Sequence, residues 1–215
     1  MDINTFDNKV CNIIKHIPLE NGIYGYYNAR LQDNIILKDI DIKLINYCID
    51  NIDKNSKILD VAGGIGQISI FLALNGFINI TMVECDIKRY EVAININKQL
   101  NSNCKMIKSK YQDIKLDNYE YIFFIGCDSR YIGSLKYLPM IEELLNKNIK
   151  IIIEERYMGI TIEKAIELNC YNSKFIKDYL EYETEFTDKL KINYKWNKIA
   201  NISNDNRGDL LMFSK

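Results

Sequence analysis

The stretch Ile58-Leu59-Asp60-Val61-Ala62-Gly63-Gly64-Ile65-Gly66-Gln67 sets a carboxylate at the end of an apolar run, then a glycine-rich turn, then the start of an apolar helix. Glycines let the backbone turn sharply and let a ligand reach main-chain N–H groups, while the helix behind them presents the positive end of its dipole. A second carboxylate, Glu84, closes the next apolar run 18 residues beyond Gly66. At the tip of a second strand a carboxylate offers two acceptor oxygens, which suits the two hydroxyls of a ribose and repels a 2′-phosphate. The pattern predicts a nucleotide-cofactor site. Taken singly, Asp60 reads equally as a loop cap, and Asp86, just past Glu84, reads as the cap of the following helix. Strand, acid, glycines, helix, strand and terminal acid in one unit are what a nucleotide explains.

The elements that must position these residues follow from hydrophobic periodicity. Ile58 to Ala62 is a continuous apolar run, and the helix through Ile68, Phe71, Leu72 and Leu74 closes at Asn75-Gly76. Further strands are predicted at Ile78 to Val83, Cys104 to Ile107, Tyr121 to Ile125 and Ile149 to Ile153. Helices are predicted through Tyr90, Ile94 and Leu100, and through Leu135, Leu138, Ile141, Leu144 and Leu145. Strands alternating with helices, each strand apolar on every residue, indicate a doubly wound parallel α/β sheet with helices on both faces. Strands near Tyr194 to Ser203 and Asp209 to Phe213, joined by Asn204-Asp205-Asn206-Arg207-Gly208, predict a closing antiparallel hairpin and a sheet of about seven strands. A helix is expected from about Thr161, before the charged stretch Lys174 to Lys191.

The first 50 residues differ. A helix from Thr5 to Ile17 is expected to stop at Pro18, an irregular Gly-Tyr segment runs from Asn21 to Tyr27, and Asp39 to Asn51 reads as a helix feeding the first strand. Residues 1–50 are expected to form a helical cap, or lid, on a sheet domain spanning 51–215.

Composition narrows the partners. With 215 residues, 47% of them hydrophobic, the chain can bury a full core. A formal net charge of -1 supplies no global basic field, so nucleic acid is not the expected partner. Lys174, Lys177, Lys189, Lys191, Lys195 and Lys198 alternate with Tyr179, Tyr194 and Trp196, but Asp178, Glu181, Glu183, Glu185 and Asp188 interrupt them as on a solvated face. The six cysteines are scattered and His16 is the sole histidine, so no metal site is expected. No apolar span approaches the roughly 20 residues that cross a bilayer, and the N-terminus lacks a signal-peptide pattern. A reduced, cytoplasmic protein, monomer or homodimer, is expected.

The motif Asp60-Val61-Ala62-Gly63-Gly64-Ile65-Gly66 resembles the first motif, D/E-x-G-x-G-x-G, of the class I S-adenosylmethionine-dependent methyltransferases, with Ala62 in place of the first glycine. A methyl group there is tolerable if φ is negative. The resemblance covers roughly residues 56 to 215, closing hairpin included, and implies a Rossmann-like fold with S-adenosylmethionine as cofactor and S-adenosylhomocysteine as product. It implies that Asp60 orders the loop and faces the methionine amino group. Ala62, Gly63, Gly64 and Gly66 would line the cofactor's approach, Glu84 would hold the ribose hydroxyls beside Cys85, and Gln112 with Asp113 would lie beside the adenine amino group. The fourth-strand end, Gly126-Cys127-Asp128-Ser129, would open toward the acceptor. A nicotinamide cofactor is the rival, since Gly64-Ile65-Gly66-Gln67-Ile68-Ser69 imitates G-x-G-x-x-G, but Ser69 spoils the third glycine and the acid precedes the turn.

Methyl transfer from a sulfonium is an in-line displacement that asks the protein for position and, with a protonated nucleophile, a base. The fourth strand lacks the N/D-P-P-Y/F signature of enzymes that methylate amino groups of nucleobases or glutamine, which leaves a small-molecule methyl acceptor attacked at oxygen or nitrogen as the expected substrate. Asp128 is the candidate base or substrate contact, with Glu154 or Glu155 as a second carboxylate. Tyr26, Tyr27 and Arg130 are candidate substrate contacts. The competing readings are ordinary packing for the tyrosines, an ordinary turn for Asp113 and a solvated ion pair for Glu154-Glu155-Arg156. Glu84 is expected near the surface of an open cleft, where its loss would barely affect stability. A domain that has lost catalysis and serves as a binding partner stays open, as does, less favoured, an RNA methyltransferase.

Overall fold

The computed structural model describes residues 1–17, 27, 31–125, 138–156, 186–201 and 208–215. Its strands are β1 (Ile58–Val61), β2 (Ile80–Glu84), β3 (Lys105–Lys108), β4 (Tyr121–Phe124), β5 (Lys150–Arg156), β6 (Lys195–Asn201) and β7 (Gly208–Ser214). They form one seven-stranded sheet of order β3-β2-β1-β4-β5-β7-β6, the mostly parallel, Rossmann-like arrangement with a closing antiparallel hairpin that the periodicity predicts. The chain divides into two compact units, Met1–Tyr119 and Glu120–Lys215.

In the first unit β1 and β2 are buried at every residue and pair in parallel, Ile58 opposite Ile80 and Asp60 opposite Met82. The sheet's edge strand β3 is half-exposed with a lysine at each end, Glu84 standing opposite Lys108, which departs from the expectation of strands covered on both faces. Strand β2 starts at Ile80 because Ile78 is 64% exposed and its N–H goes to the Lys54 carbonyl instead of a ladder.

Helix α1 (Ile3–Lys15) begins two residues earlier than expected because Asp2 caps it, accepting from the Thr5 N–H at 2.9 Å and the Thr5 hydroxyl at 2.7 Å. It ends at Lys15, ahead of the pre-proline position that disfavours helix. Phe6, Val10, Cys11, Ile13 and Ile14 fill its buried face, Phe6 meeting Phe71 edge-on at 5.2 Å between ring centroids. Buried Asp7 accepts the Leu37 N–H at 3.0 Å and so ties α1 to the chain that enters α2 (Asp39–Asn51). Helix α3 (Gln67–Leu74) stops at Asn75 and Gly76, as its sequence predicts, and α4 (Ile87–Gln99) is capped by Asp86.

In the second unit β4 and β5 run parallel, Phe123 opposite Ile152, and α5 (Leu138–Asn146) buries Ile141, Leu144 and Leu145. Strand β7 lies antiparallel between β5 and β6, with a bulge between Lys198 and Ala200. That pairing carries β5 through Arg156, three residues past its apolar run, because Leu210, Asp209 and Gly208 supply ladder partners for Glu154, Glu155 and Arg156. Residues 186–193 are helical; the helix expected from Thr161 lies outside the described residues.

Candidate cofactor site

The turn after β1 is held from both sides. The Gly63 N–H donates to the Val83 carbonyl at 3.1 Å, and the Gly66 N–H donates back to the Gly63 carbonyl at 2.9 Å. A Cβ on Gly63 would stand 2.5 Å from Met82 Cγ and 2.9 Å from Asp60 Oδ2, so no side chain fits there. Gly64 takes φ +62°, and a Cβ on it would meet the Tyr27 hydroxyl at 3.5 Å and Gln67 Oε1 at 3.8 Å. Gly66 caps α3 in the left-handed region.

Ala62 is exposed and has φ +55°, not the negative φ on which its tolerance depends. The left-handed conformation costs a residue with a Cβ roughly 1–2 kcal/mol, so the departure from the glycine motif is a real local strain.

Asp60 is 1% exposed. The Ser69 hydroxyl donates to its Oδ2 at 2.6 Å, while Oδ1 is buried without a partner. Its carboxyl is pushed up to about 7, chiefly by burial, with the Ser69 hydrogen bond opposing and the Asp41 and Glu84 carboxylates adding to the rise. Ser69, the position that spoils the dinucleotide fingerprint, is itself fully buried and serves this carboxylate.

Glu84 overturns one expectation. It is 3% exposed, not at a cleft surface, and both oxygens are engaged: Oε2 accepts the Gly64 N–H at 3.0 Å and Oε1 the Asp86 N–H at 2.8 Å. It stitches the glycine turn to the end of β2. Each oxygen keeps a further lone-pair direction for a ligand hydroxyl. Asp86 acts as the helix cap, accepting from the Lys88 and Arg89 N–H groups at 2.9 and 3.0 Å. Cys85 between them is exposed.

Gln112 and Asp113 are exposed on a 3-10 turn anchored by buried Tyr111, and the Ser109 N–H bonds the Glu84 carbonyl at 3.2 Å, tying that segment to the strand-two end. Tyr27 is buried, its hydroxyl over Gly64. The first unit therefore gathers Asp60, Ala62, Gly63, Gly64, Gly66, Glu84 and Tyr27 around one turn. Tyr26, Gly126, Asp128 and Arg130 lie outside the described residues.

Glu154 is half-buried on β5, opposite Leu210. Its neighbour Glu155 is 5% exposed and makes the ion pair, with Lys191 Nζ at 2.9 and 3.2 Å and the Thr187 hydroxyl donating to Oε1. The carboxylate of the pair is buried and the lysine only half-buried, so this is not a fully solvated strand end. Opposite Glu155 stands Asp209, whose charge is met by Lys198 at 2.8 Å, so two facing carboxylates each have a lysine. Among the described residues no three or more His, Cys, Asp and Glu side chains converge as metal ligands.

Sequence reasoning missed Gln67 and Ser69 as side chains that serve the turn, and Asp41 as a charge that acts on Asp60. Gln67 and Ser69 stood in the motif but were read only as imperfect matches to a dinucleotide fingerprint. Asp41 sits on a helix remote in sequence, and no spacing rule points to it.

No protein-family model matches the sequence, and no curated protein matches it. Solved structures do. Magnesium protoporphyrin IX methyltransferase (ChlM) from Synechocystis PCC 6803 with bound S-adenosylhomocysteine superposes with TM-score 0.59 at 10% identity, covering 99% of this chain and 98% of that one. This is the class I methyltransferase fold. A putative S-adenosyl-L-methionine-dependent methyltransferase from Methanococcus maripaludis shares the fold at TM-score 0.54 and 17% identity, covering 82% of this chain and 85% of that one. The bifunctional kinase-methyltransferase WbdD shares it at TM-score 0.60 and 10% identity over 95% of this chain. The chain spans about half the length of that protein, matching 46% of it. Among the described residues no helix is long and apolar enough to cross a membrane.

Proposed function

We propose that the chain is an S-adenosylmethionine-dependent methyltransferase acting on a small molecule at oxygen or nitrogen. The observation that carries this reading is the glycine turn closed by Glu84, with a buried acceptor, Asp60 Oδ1, left unpartnered beside it. Buried acceptors are almost always paired, and an orphan at a glycine turn in a methyltransferase fold fits a ligand that brings donors. The residues fit the cofactor: Glu84 retains acceptor capacity for two ribose hydroxyls, and Gly64 leaves room under the Tyr27 hydroxyl that a Cβ would fill. One fold neighbour, the Synechocystis ChlM, is solved with S-adenosylhomocysteine and with S-adenosylmethionine bound, which supports the same class of cofactor here.

When bound, such a cofactor supplies an electrophilic methyl group on a sulfonium. The chain's own residues then position it: Asp60 accepts from the ammonium of its methionyl end, Glu84 from the ribose, and Gln112 and Asp113, with Cys85 and Gly126, line the adenine. Tyr27, its hydroxyl beside Gly64, would line the same approach. Asp128 as base, Glu154 as second carboxylate, and Tyr26 and Arg130 as acceptor contacts complete the proposal, in a cap of residues 1–50 and a cofactor domain of 51–215. The proposed setting is cytoplasmic, as a monomer or homodimer.

Calorimetric titration with S-adenosylhomocysteine, with NAD in parallel, tests the reading. Micromolar binding of the former alone is expected, and an acceptor screen follows from it. Binding of NAD alone overturns the reading, and binding of neither leaves a partner-binding domain as the better account.

A further inference from the structure

Two buried side-chain oxygens at the glycine turn have no hydrogen-bond partner, Asp60 Oδ1 and Gln67 Oε1. They flank consecutive glycines. A Cβ on Gly63 would strike Met82 at 2.5 Å and the Asp60 carboxylate at 2.9 Å, so that side is closed, whereas the space above Gly64 is bounded by Gln67 Oε1 at 3.8 Å and the Tyr27 hydroxyl at 3.5 Å. A buried oxygen without a donor is a standing cost to the fold, and two of them beside one turn fit a ligand rich in donors.

Glu84 already supplies the acceptors for a diol, from the other side of Gly64, whose N–H points at it. What remains is the Gln67 oxygen in the open space beside Gly64, with the Asp60 oxygen unpaired behind Gly63, and a primary ammonium, with three N–H donors and no lone pair, matches an unpaired acceptor better than a hydroxyl. Gln67 is the first residue of α3, where free helix N–H groups and the helix dipole favour the carboxylate of the same amino acid.

We infer that Gln67 is a further cofactor-binding residue, whose side-chain amide oxygen accepts from the ammonium of the cofactor's methionyl end and so selects a zwitterionic amino-acid tail. This inference rests on the proposed function above. Nothing in the glycine motif requires glutamine at this position, so the choice belongs to this chain.

The test is calorimetry of the full chain with three ligands: S-adenosylhomocysteine, its analogue lacking the α-amino group, and its analogue lacking the carboxylate. The proteins are wild type, Gln67→Met and Gln67→Glu, with thermal melts to show that each is folded. Wild type is expected to prefer S-adenosylhomocysteine over the des-amino analogue by about tenfold or more, the scale of a hydrogen bond to a charged group. Gln67→Met should narrow the preference by weakening only the former, the remainder belonging to Asp60, and Gln67→Glu, which keeps an acceptor, should retain the preference. An unchanged preference in Gln67→Met overturns the role of Gln67 while leaving the proposed function standing. A loss of preference against the des-carboxy analogue instead means that the amide donates to the carboxylate, which overturns the ammonium assignment. Absence of binding by wild type overturns this inference and the proposed function together.

Discussion

Removing the Glu84 carboxylate should destabilise the protein in two separable steps. Its two oxygens serve different N–H groups: Oε2 takes buried Gly64 at 3.0 Å and Oε1 takes part-buried Asp86 at 2.8 Å. In Glu84→Ala the Gly64 N–H is left buried and unpaired, at a cost of about 1–3 kcal/mol, and the Asp86 N–H exchanges a charged acceptor for water at about 1–2 kcal/mol more. The total is about 2–5 kcal/mol. In Glu84→Gln a single oxygen remains, which turns to Gly64, so only the second, smaller cost of about 1–2 kcal/mol applies. For a chain of this size each kcal/mol moves Tm by about 2–4 °C. Thermal unfolding followed by circular dichroism should therefore rank wild type above Gln above Ala, with Ala lower than wild type by about 4–20 °C. Ala melting within about 1 °C of wild type, or Gln and Ala melting together, would refute the division of labour between the oxygens. Affinity for S-adenosylhomocysteine must then be compared well below both midpoints, since loss of binding in an unfolded variant says nothing about ribose.

Ala62→Gly should stabilise the chain: relief of the strain at φ +55° is worth roughly 1–2 kcal/mol, offset by about 0.4–1 kcal/mol of added freedom in the unfolded chain. A urea midpoint below wild type would show that the alanine is not strained. Asp60 is raised in the folded state to about 7 from an ordinary 3.8, so the native state holds a proton that the unfolded chain releases between those values. Its contribution is thus largest near pH 4, falls as pH rises to about 7, and is flat above, by at most about 4 kcal/mol. Asp60→Asn, which still accepts from Ser69, should lack this slope and gain on wild type between pH 5 and pH 8; parallel pH profiles of the urea midpoints would contradict it.

The sheet was legible because its central strands β1, β2 and β4 are apolar runs bounded by polar residues. Asn75-Gly76 ends α3 and Asp86 starts α4 as their residue types dictate. Strand ends were misjudged where partners remote in sequence decide them. Apolar periodicity ends β5 at Ile153, but Glu154 to Arg156 stay in the ladder because β7 runs beside them, and the charge on Glu155 is tolerable there only because Lys191 and Thr187 come from a helix 32–36 residues later. No local window contains that information.

The candidate site divides along the same line. Type and spacing place a carboxylate at the end of β2, and the structure keeps it there. Whether that carboxylate waits in an open cleft or is already engaged depends on the backbone N–H groups that face it. Gly64 faces Glu84 because Ala62, Gly64 and Gly66 all take positive φ, which folds the turn back over the strand end. Glycine-rich composition announces that such a turn exists but not which N–H it aims at which oxygen. The same geometry separates Glu84, whose acceptors are partly used in holding the turn, from Asp60 and Gln67, each of which retains a buried acceptor without a donor. Under the proposed function, the structural carboxylate would serve the neutral hydroxyls and the two unpaired oxygens the charged group of the cofactor. The ammonium then relieves the Asp60 carboxylate of the burial cost that keeps it protonated near neutral pH, so cofactor binding should release a proton, and calorimetry in buffers of differing ionisation enthalpy would detect it.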